Sequence, residues 1–295
     1  MLFRSPCALV ASIMPATLSA ISNGAKHGIL FKGGVHLENL SHLKAIAFDK
    51  TGTLTKGKPE VTDLIVADGL DRDEVLLKAA SIESHSNHPL ANAIVKHSKE
   101  KLGKELVHPE SIEDVSGWGV KAHFENEDWK IGKADFVGRT EAEAFSGGAA
   151  VELAAEGKTI VFIERNGQLA GLIALKDVVR EETKQAIDLL KSEGIYTVML
   201  TGDSQNTGKA IAAESHVEGY IAECLPETKV NELKKLKEQY GQVAMVGDGI
   251  NDAPALATAN VGIAMGEGSD VALETADIVL MKNDLPKIAE AINVS

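Results

Sequence analysis

The order of polar and apolar positions changes character along the chain. Residues 8–21, ALVASIMPATLSAI, are apolar and small throughout. Residues 32–43, KGGVHLENLSHL, have the spacing of a short amphipathic helix. Ala45, Ile46, Ala47 and Phe48 then form a bare apolar run bounded by polar residues, the pattern of a buried strand. Between about 57 and 175 the pattern is different again. Helical spacing predicts helices over 73–84 and 89–102, the second with Pro89 at its first position. Apolar and polar positions alternate over 111–137, with a polar turn near Asn126. Asn166-Gly167, a dipeptide favoured in tight type I′ turns, separates TIVFIE from LAGLIAL and predicts a hairpin. From Asp177 onward, strands YTVML, QVAMV, VGIAM and DIVLM alternate with helices over 181–192, 205–214, 228–239 and 285–292. Such alternation predicts a parallel, doubly wound α/β sheet.

The strand ending at Asp49 serves as the first of that sheet, so the α+β stretch interrupts a Rossmann-like body. The expected division is a partial transmembrane helix and its exit over 1–31, the α/β body over 32–57 plus 176–295, and an inserted α+β domain over 58–175. The 8–21 run, about 14 residues, covers roughly 21 Å at 1.5 Å per residue, short of the ~30 Å hydrocarbon core. It reads as the tail of a membrane helix, with Asn23, Lys26 and His27 marking a cytoplasmic exit. A signal peptide, suggested by Arg4 ahead of an apolar run, is opposed by Pro6-Cys7 and Pro15. A hydrophobic content of 44% with 25% charged residues suits a globular core. A net charge of −13 without a basic run argues against nucleic acid as a partner. The two cysteines, Cys7 and Cys224, allow neither a disulfide framework nor a structural zinc site.

The candidate chemistry gathers at strand ends, where open α/β sheets place their ligands. Asp49 ends its strand and is followed by Lys50, Thr51, Gly52 and Thr53, a loop whose backbone N–H groups can approach a phosphate closely. A carboxylate placed there suits nucleophilic attack on a phosphoryl group. Thr201-Gly202-Asp203 follows the YTVML strand and offers further phosphate contacts. Gly247-Asp248-Gly249-Ile250-Asn251-Asp252 follows QVAMV and supplies hard oxygen ligands of the kind Mg²⁺ takes. Lys229, at a helix start in LPETK, is available to neutralise phosphate charge.

Together DKTGTLT, TGD and GDGINDAP resemble the phosphorylation domain of P-type ATPases, which have the haloacid-dehalogenase fold. That resemblance implies phosphorylation of Asp49, with Thr51 at the Mg²⁺ and phosphate. It implies that Thr201, Lys229 and Asn251 hold the phosphoryl group, that Asp248 ligates Mg²⁺ and that Asp252 supports the site. Asp177 and Arg180 match the family's Asp-x-x-Arg hinge, with Glu181 in place of its usual Pro, and Arg180 is counted among the nucleotide-binding residues. Soluble phosphatases of this fold carry a second carboxylate two positions after the nucleophile; Thr51 stands there and cannot act as a general base, so an acyl-phosphate should persist.

In the insert, Glu83 and His88-Pro89 of SIESHSNHPL and Gly117 and Gly119 of SGWGV resemble the nucleotide-binding motifs of heavy-metal (P1B-type) ATPases. By that resemblance Glu83 and His88 meet the adenine end of ATP, and the two glycines let the nucleotide lie close to backbone. Gly132 belongs to the same pocket, followed by Lys133 where copper pumps carry Asn. Ser5-Pro6-Cys7 sits where this family carries its membrane metal site. A thiolate with a hydroxyl makes a harder site than two thiolates, and the form resembles the subgroup that moves cobalt, iron or zinc, with cadmium in the same divalent class. The expected partners are ATP, a divalent transition-metal ion, the membrane and the actuator domain of a parent pump in the plasma membrane, with this body on the cytoplasmic side. No Thr-Gly-Glu actuator motif occurs in the sequence. A stand-alone phosphatase of the same superfamily and a non-catalytic nucleotide-binding module are the alternatives.

Overall fold

The computed structural model describes residues 6–294. They form two units: one takes the chain up to Thr55, Val179–Thr201 and everything from Ala212, the other Lys56–Val178 and Gly202–Ile211.

Unit 1 opens with α1 (Pro6–Lys26), β1 (Ile29–Phe31), α2 (Gly34–Ser41) and β2 (Ala45–Asp49). The chain then builds unit 2 from β3 (Glu60–Val66), α3 (Arg72–Glu83), α4 (Pro89–Leu102), β4 (Ser111–Val115), β5 (Gly119–Phe124), β6 (Glu127–Gly132), three short helices α5 (Ala134–Val137), α6 (Arg139–Ala144) and α7 (Ala149–Ala155), β7 (Thr159–Arg165) and β8 (Gln168–Lys176). Afterwards come α8 (Glu181–Ser192), β9 (Tyr196–Leu200), α9 (Gln205–Ser215), β10 (Gly219–Ile221), α10 (Pro226–Tyr240), β11 (Val243–Gly247), α11 (Ala253–Thr258), β12 (Val261–Met265), α12 (Asp270–Thr275), β13 (Ile278–Leu280) and α13 (Pro286–Val294).

The sheet of unit 1 runs β1-β13-β12-β11-β2-β9-β10. It is parallel except for β1, which lies antiparallel to β13 at one edge. Central β2 is covered on both faces, and Ala45 to Phe48 are fully buried. That double burial is why its sequence is a bare apolar run without alternation. Register sets the site: Phe48 pairs with Val246 on β11, and Asp49 with Leu200 on β9. Asp248 and Thr201 therefore leave their strands close to the level of Asp49.

The six-stranded sheet of unit 2, β3-β8-β7-β6-β5-β4, is antiparallel. Its strands alternate between two cores. Val161, Ile163, Ile173 and Leu175 join Val75, Leu76, Ile82 and Ile94 of α3 and α4. Phe162 and Leu172 join Val137, Ala142 and Ala150 of the short helices. The hairpin expected at Asn166-Gly167 is present, with φ of 50° and 78° at the two turn residues.

The apolar run at 8–21 lies within α1, which continues through Pro15. Among the described residues no helix is long and apolar enough to cross a membrane. The stretch expected as the helix exit differs from expectation, since Ile29–Phe31 is a strand of unit 1's sheet. Ile29 and Phe31 are buried while Leu30 is exposed, an alternation too short to recognise in sequence. Ser5 lies outside the described residues, as does the side chain of Cys7.

Candidate active site

Asp49 stands at the C-terminal end of β2 and is only 8% exposed. Lys229, buried in the first turn of α10, donates from Nζ to Asp49 Oδ1 and, at 3.0 Å, to Asp252 Oδ1. Asp49, Asp248 and Asp252 each bring a carboxylate oxygen to a common point, all within 4.8 Å of one another. Burial, then the charge of Asp252, pushes Asp49 up to about 6 against the pull of Lys229. Burial, Asp49 and Asp252 push Asp248 up to about 7. Burial alone would lower Lys229, but the charges of Asp49 and Asp252 outweigh it and hold the ammonium well above its ordinary value. Three carboxylates thus gather about the Lys229 ammonium, with Lys50 and Arg180 adding weaker positive charge. A hard divalent cation such as Mg²⁺, which takes one or two carboxylates together with phosphate oxygens, fits this donor set.

The loop after Asp49 is fixed from below by Arg180. Its Nε donates to the carbonyls of Thr53 (3.1 Å) and Thr55 (3.0 Å), and Nη2 donates to that of Gly52 (3.0 Å). Thr183 Oγ1 adds a bond to Leu54 O at 2.8 Å. Gly52 adopts φ +74°, and a Cβ built on it would stand 1.7 Å from Asp248 Oδ2. Only a residue without a side chain lets the loop close over that carboxylate. Asp248 is held through its carbonyl, which accepts from Ser269 N at 2.7 Å. Asp252 Oδ2 accepts from Gly249 N at 3.1 Å and so braces the turn between the two acids.

The remaining expected residues fall as follows. Lys50 is buried, Thr51 half-buried and Asn251 exposed. Thr201 is buried and tied to the strand beside it, its N–H donating to Ile221 O and its carbonyl accepting from Cys224 N, both at 2.9 Å. Gly202 and Asp203 group with unit 2, where Asp203 Oδ1 accepts from Thr159 Oγ1 at 2.8 Å. Arg180, expected among the nucleotide residues, belongs to unit 1 and serves the loop after Asp49. Sequence reasoning placed Thr53 in this loop but passed over its side chain, whose buried Oγ1 has no hydrogen-bond partner. A buried donor left unpaired costs about 1–3 kcal/mol, and an oxyanion bound in this loop is the kind of group that would satisfy it. It also passed over Gly268-Ser269 beside Asp248; the glycine-rich MGEGS turn at the end of β12 was the available signal.

In unit 2, Glu83 ends α3, and His88 caps α4 by accepting from Leu90 N at 3.2 Å. Gly117 turns with φ +79° between β4 and β5. Gly119 and Gly132 pair across β5 and β6. A Cβ on Gly119 would lie 2.1 Å from Ile131 O, and one on Gly132 would lie 2.3 Å from Trp118 O. Close strand approach beneath Phe136 is thus a reason of its own for both glycines. Burial and the nearby charge of Asp114 push Glu83 up to about 7.

The family described as haloacid dehalogenase-like hydrolase matches residues 43–260. The zinc-transporting ATPase of Bacillus subtilis (strain 168) is 53% identical over 295 residues, covering 100% of this chain and 46% of that protein. A probable cadmium-transporting ATPase of Staphylococcus aureus (strain MRSA252) is 43% identical over 297 residues, 98% of this chain and 41% of its own length. A zinc-transporting PIB-type ATPase solved in its E2.Pi state aligns with a TM-score of 0.64 at 43% identity, over 98% of this chain and 47% of that one. The catalytic domain of the CPx-ATPase CopB-B aligns with a TM-score of 0.76 at 32% identity, over 92% of this chain and 97% of that one. The chain spans about half the length of the curated relatives it matches. It belongs to the haloacid dehalogenase-like hydrolase family, and its relatives there are metal-transporting P-type ATPases.

Proposed function

We propose that this chain is the ATP-binding catalytic portion of a heavy-metal P-type ATPase, phosphorylated on Asp49 during each cycle. The observation that carries the reading is the buried set of Asp49, Lys229, Asp248 and Asp252 at the ends of neighbouring parallel strands. An Asp49 carboxylate oxygen attacks the terminal phosphorus of ATP. The bond from that phosphorus to the bridging oxygen breaks, and ADP leaves with the electron pair. Lys229, Thr51, Thr201 and Asn251 hold the transferred oxygens, and the Lys229 ammonium keeps Asp49 ionised until attack. Asp49, Thr51 and Asp248 would hold Mg²⁺, which supplies charge neutralisation at the phosphoryl oxygens. Thr51 offers no carboxylate to activate water, so the aspartyl-phosphate outlives the step that forms it.

Within this reading unit 2 binds ATP through Glu83, His88, Gly117, Gly119 and Gly132, and Arg180 and Asp203 hold the framework around the loop and strand end. The parent pump places this body on the cytoplasmic side of a membrane and couples its cycle to a divalent transition metal. Zinc, cadmium and copper are the metals named for similar proteins; the divalent class, and cobalt and iron within it, rest on Ser5-Pro6-Cys7. The actuator domain that would direct water to the aspartyl-phosphate belongs to that parent. The test is an acid-stable, hydroxylamine-sensitive label from terminally radiolabelled ATP with Mg²⁺. Label on the wild type and none on Asp49→Asn is expected. Rapid release of phosphate without label would favour a phosphatase instead.

A further inference from the structure

The glycine-rich turn after β12 lies between Asp248 and the turn that follows β13. On one side Gly268 meets Asp248: a Cβ built on it would stand 2.8 Å from Asp248 O and 3.1 Å from Asp248 Cα. Ser269 N donates to that same carbonyl at 2.7 Å. On the other side Gly266 meets backbone again, and a Cβ there would lie 2.5 Å from Leu280 O and 2.7 Å from Met281 O. With backbone packed against both sides, the 266–269 turn cannot shift without pushing on Asp248. A side chain from outside the turn holds it. Asn283 Oδ1 accepts from Glu267 N at 3.1 Å. Asn283 is only 5% exposed and has φ +53°, a left-handed conformation that Asn tolerates better than most side chains. Its own N–H donates to Leu280 O at 3.2 Å, and Met281 N anchors the same segment to Gly28 O at 2.8 Å. Glycine would meet the backbone requirement at 283 equally well; what Asn adds is the acceptor.

Resting on the phosphoryl-transfer reading above, we propose that Asn283 is a positioning residue for Mg²⁺: it fixes the 266–269 turn, and the turn fixes where Asp248 stands. It acts through two bonds in series, Asn283 Oδ1 to Glu267 N and Ser269 N to Asp248 O. Asp248 depends on such support more than its neighbours do. Lys229 holds Asp49 and Asp252, whereas among the described residues Asp248 makes no ion pair. Gly52 lies against its carboxylate, which limits any compensating rotation of the side chain.

The test compares Asn283→Gly, which keeps the left-handed backbone and loses the acceptor, with Asn283→Asp, which keeps both. The Mg²⁺ dissociation constant of the whole chain is read from the dependence of unit 1's melting point on Mg²⁺ concentration. Asn283→Gly is expected to weaken Mg²⁺ binding by about tenfold, the lower end of what partners behind a ligand contribute to metal affinity. Label from ATP should then need about tenfold more Mg²⁺ yet reach a similar level at saturation, with ATP affinity unchanged. Asn283→Asp should restore the wild-type constant. A purely structural role would lower the melting point at every Mg²⁺ concentration and leave the constant as in wild type, and that outcome would overturn the inference. Reciprocity gives a second measurement that needs no variant: a bond that favours Mg²⁺ tenfold is favoured by Mg²⁺ to the same degree. Exchange of the Glu267 amide hydrogen should therefore slow by about tenfold when Mg²⁺ saturates. An unchanged rate would sink the inference even if Asn283→Gly failed to fold. Absence of label on the wild type at any Mg²⁺ concentration would remove the phosphoryl-transfer reading, and this inference with it.

Discussion

Each unit raises a carboxyl that burial and a like charge disfavour, and the two differ in what stands opposite it. In unit 1, Asp49 and Asp252 share the ammonium of Lys229, and Asp248 completes a set suited to a divalent cation. In unit 2, half-buried Glu83 is pushed up to about 7 by burial and by the charge of exposed Asp114, and among the described residues no ion pair to it is found. One site sets a fixed positive charge against its acids; the other holds its proton to a higher pH than an ordinary carboxyl. The Lys229 ammonium pulls Asp49 back toward its ionised form, and no such pull opposes the rise at Glu83. Similar desolvation serves opposite ends because the partner differs.

Removing the fixed charge should break this contrast most severely. Lys229→Met leaves Asp49 and Asp252 buried without their counter-charge, and breaking a buried pair from one side costs about 3–5 kcal/mol. Label on Asp49 should vanish, and unit 1 should melt earlier than unit 2. A variant that melts like the wild type and still accepts phosphate would show that Lys229 is not what neutralises the cluster.

Next in size is the loop that covers the acids. Gly52→Ala adds a Cβ where Asp248 Oδ2 stands 1.7 Å away, at a φ of +74° that side chains rarely adopt. Either the loop lifts or Asp248 turns aside. A displacement on the order of 1 Å at a reacting centre can cost about 100-fold in rate, so phosphorylation should fall by that order while nucleotide affinity in unit 2 holds. Equal losses in both would mean that the substitution acts through the fold rather than through the site.

These residues also show how much was legible beforehand. Asp49, Asp248, Asp252 and Lys229 could be read in sequence because each follows a short apolar run or opens a helix, and parallel register brings strand ends together whatever the chain between them does. Arg180 was legible as a residue but not in its place, since a guanidinium spanning the carbonyls of Gly52, Thr53 and Thr55 depends on how Val179 pairs with Thr55. The loop carrying Thr53 was legible but the role of its side chain was not, because an unpaired hydroxyl is defined only by what fails to surround it. Strand β1 was missed because three residues are too few to show a period, and β3 because its exposure alternates weakly. Asp114 carried no signal at all; its meaning comes only from lying near Glu83.

Cation binding offers a smaller and reversible effect. Mg²⁺ should stabilise unit 1 by about 2.7 kcal/mol at a concentration near 100 times its dissociation constant, read as a higher melting point. A chelator should reverse the gain, and Asp248→Asn should abolish most of it. Unit 2, without a comparable cluster among its described residues, should not respond. A gain that persists in Asp248→Asn would place the cation elsewhere.

The smallest expected effect sharpens the proton side of the comparison. The folded-state value for Glu83, about 7, lies above its ordinary 4.5. The folded protein therefore holds a proton that the unfolded chain has already released across that interval. Its contribution to stability is fully present below about 4.5 and is lost as pH rises through about 7. Because the side chain keeps some contact with water, the loss should be on the order of 2 kcal/mol rather than the full shift at ~1.4 kcal/mol per unit. Asp49 and Asp248 are also raised, so the informative quantity is the difference between wild type and Glu83→Gln. The variant should gain relative stability as pH increases from about 5 to about 8, and hydrogen exchange at buried amides of α3 and β5 should assign that gain to unit 2. A difference that stays constant with pH would mean that Glu83 is ionised in the folded chain. Among the described residues, the acid cluster of unit 1 would then stand alone as carboxylates raised by their own neighbours.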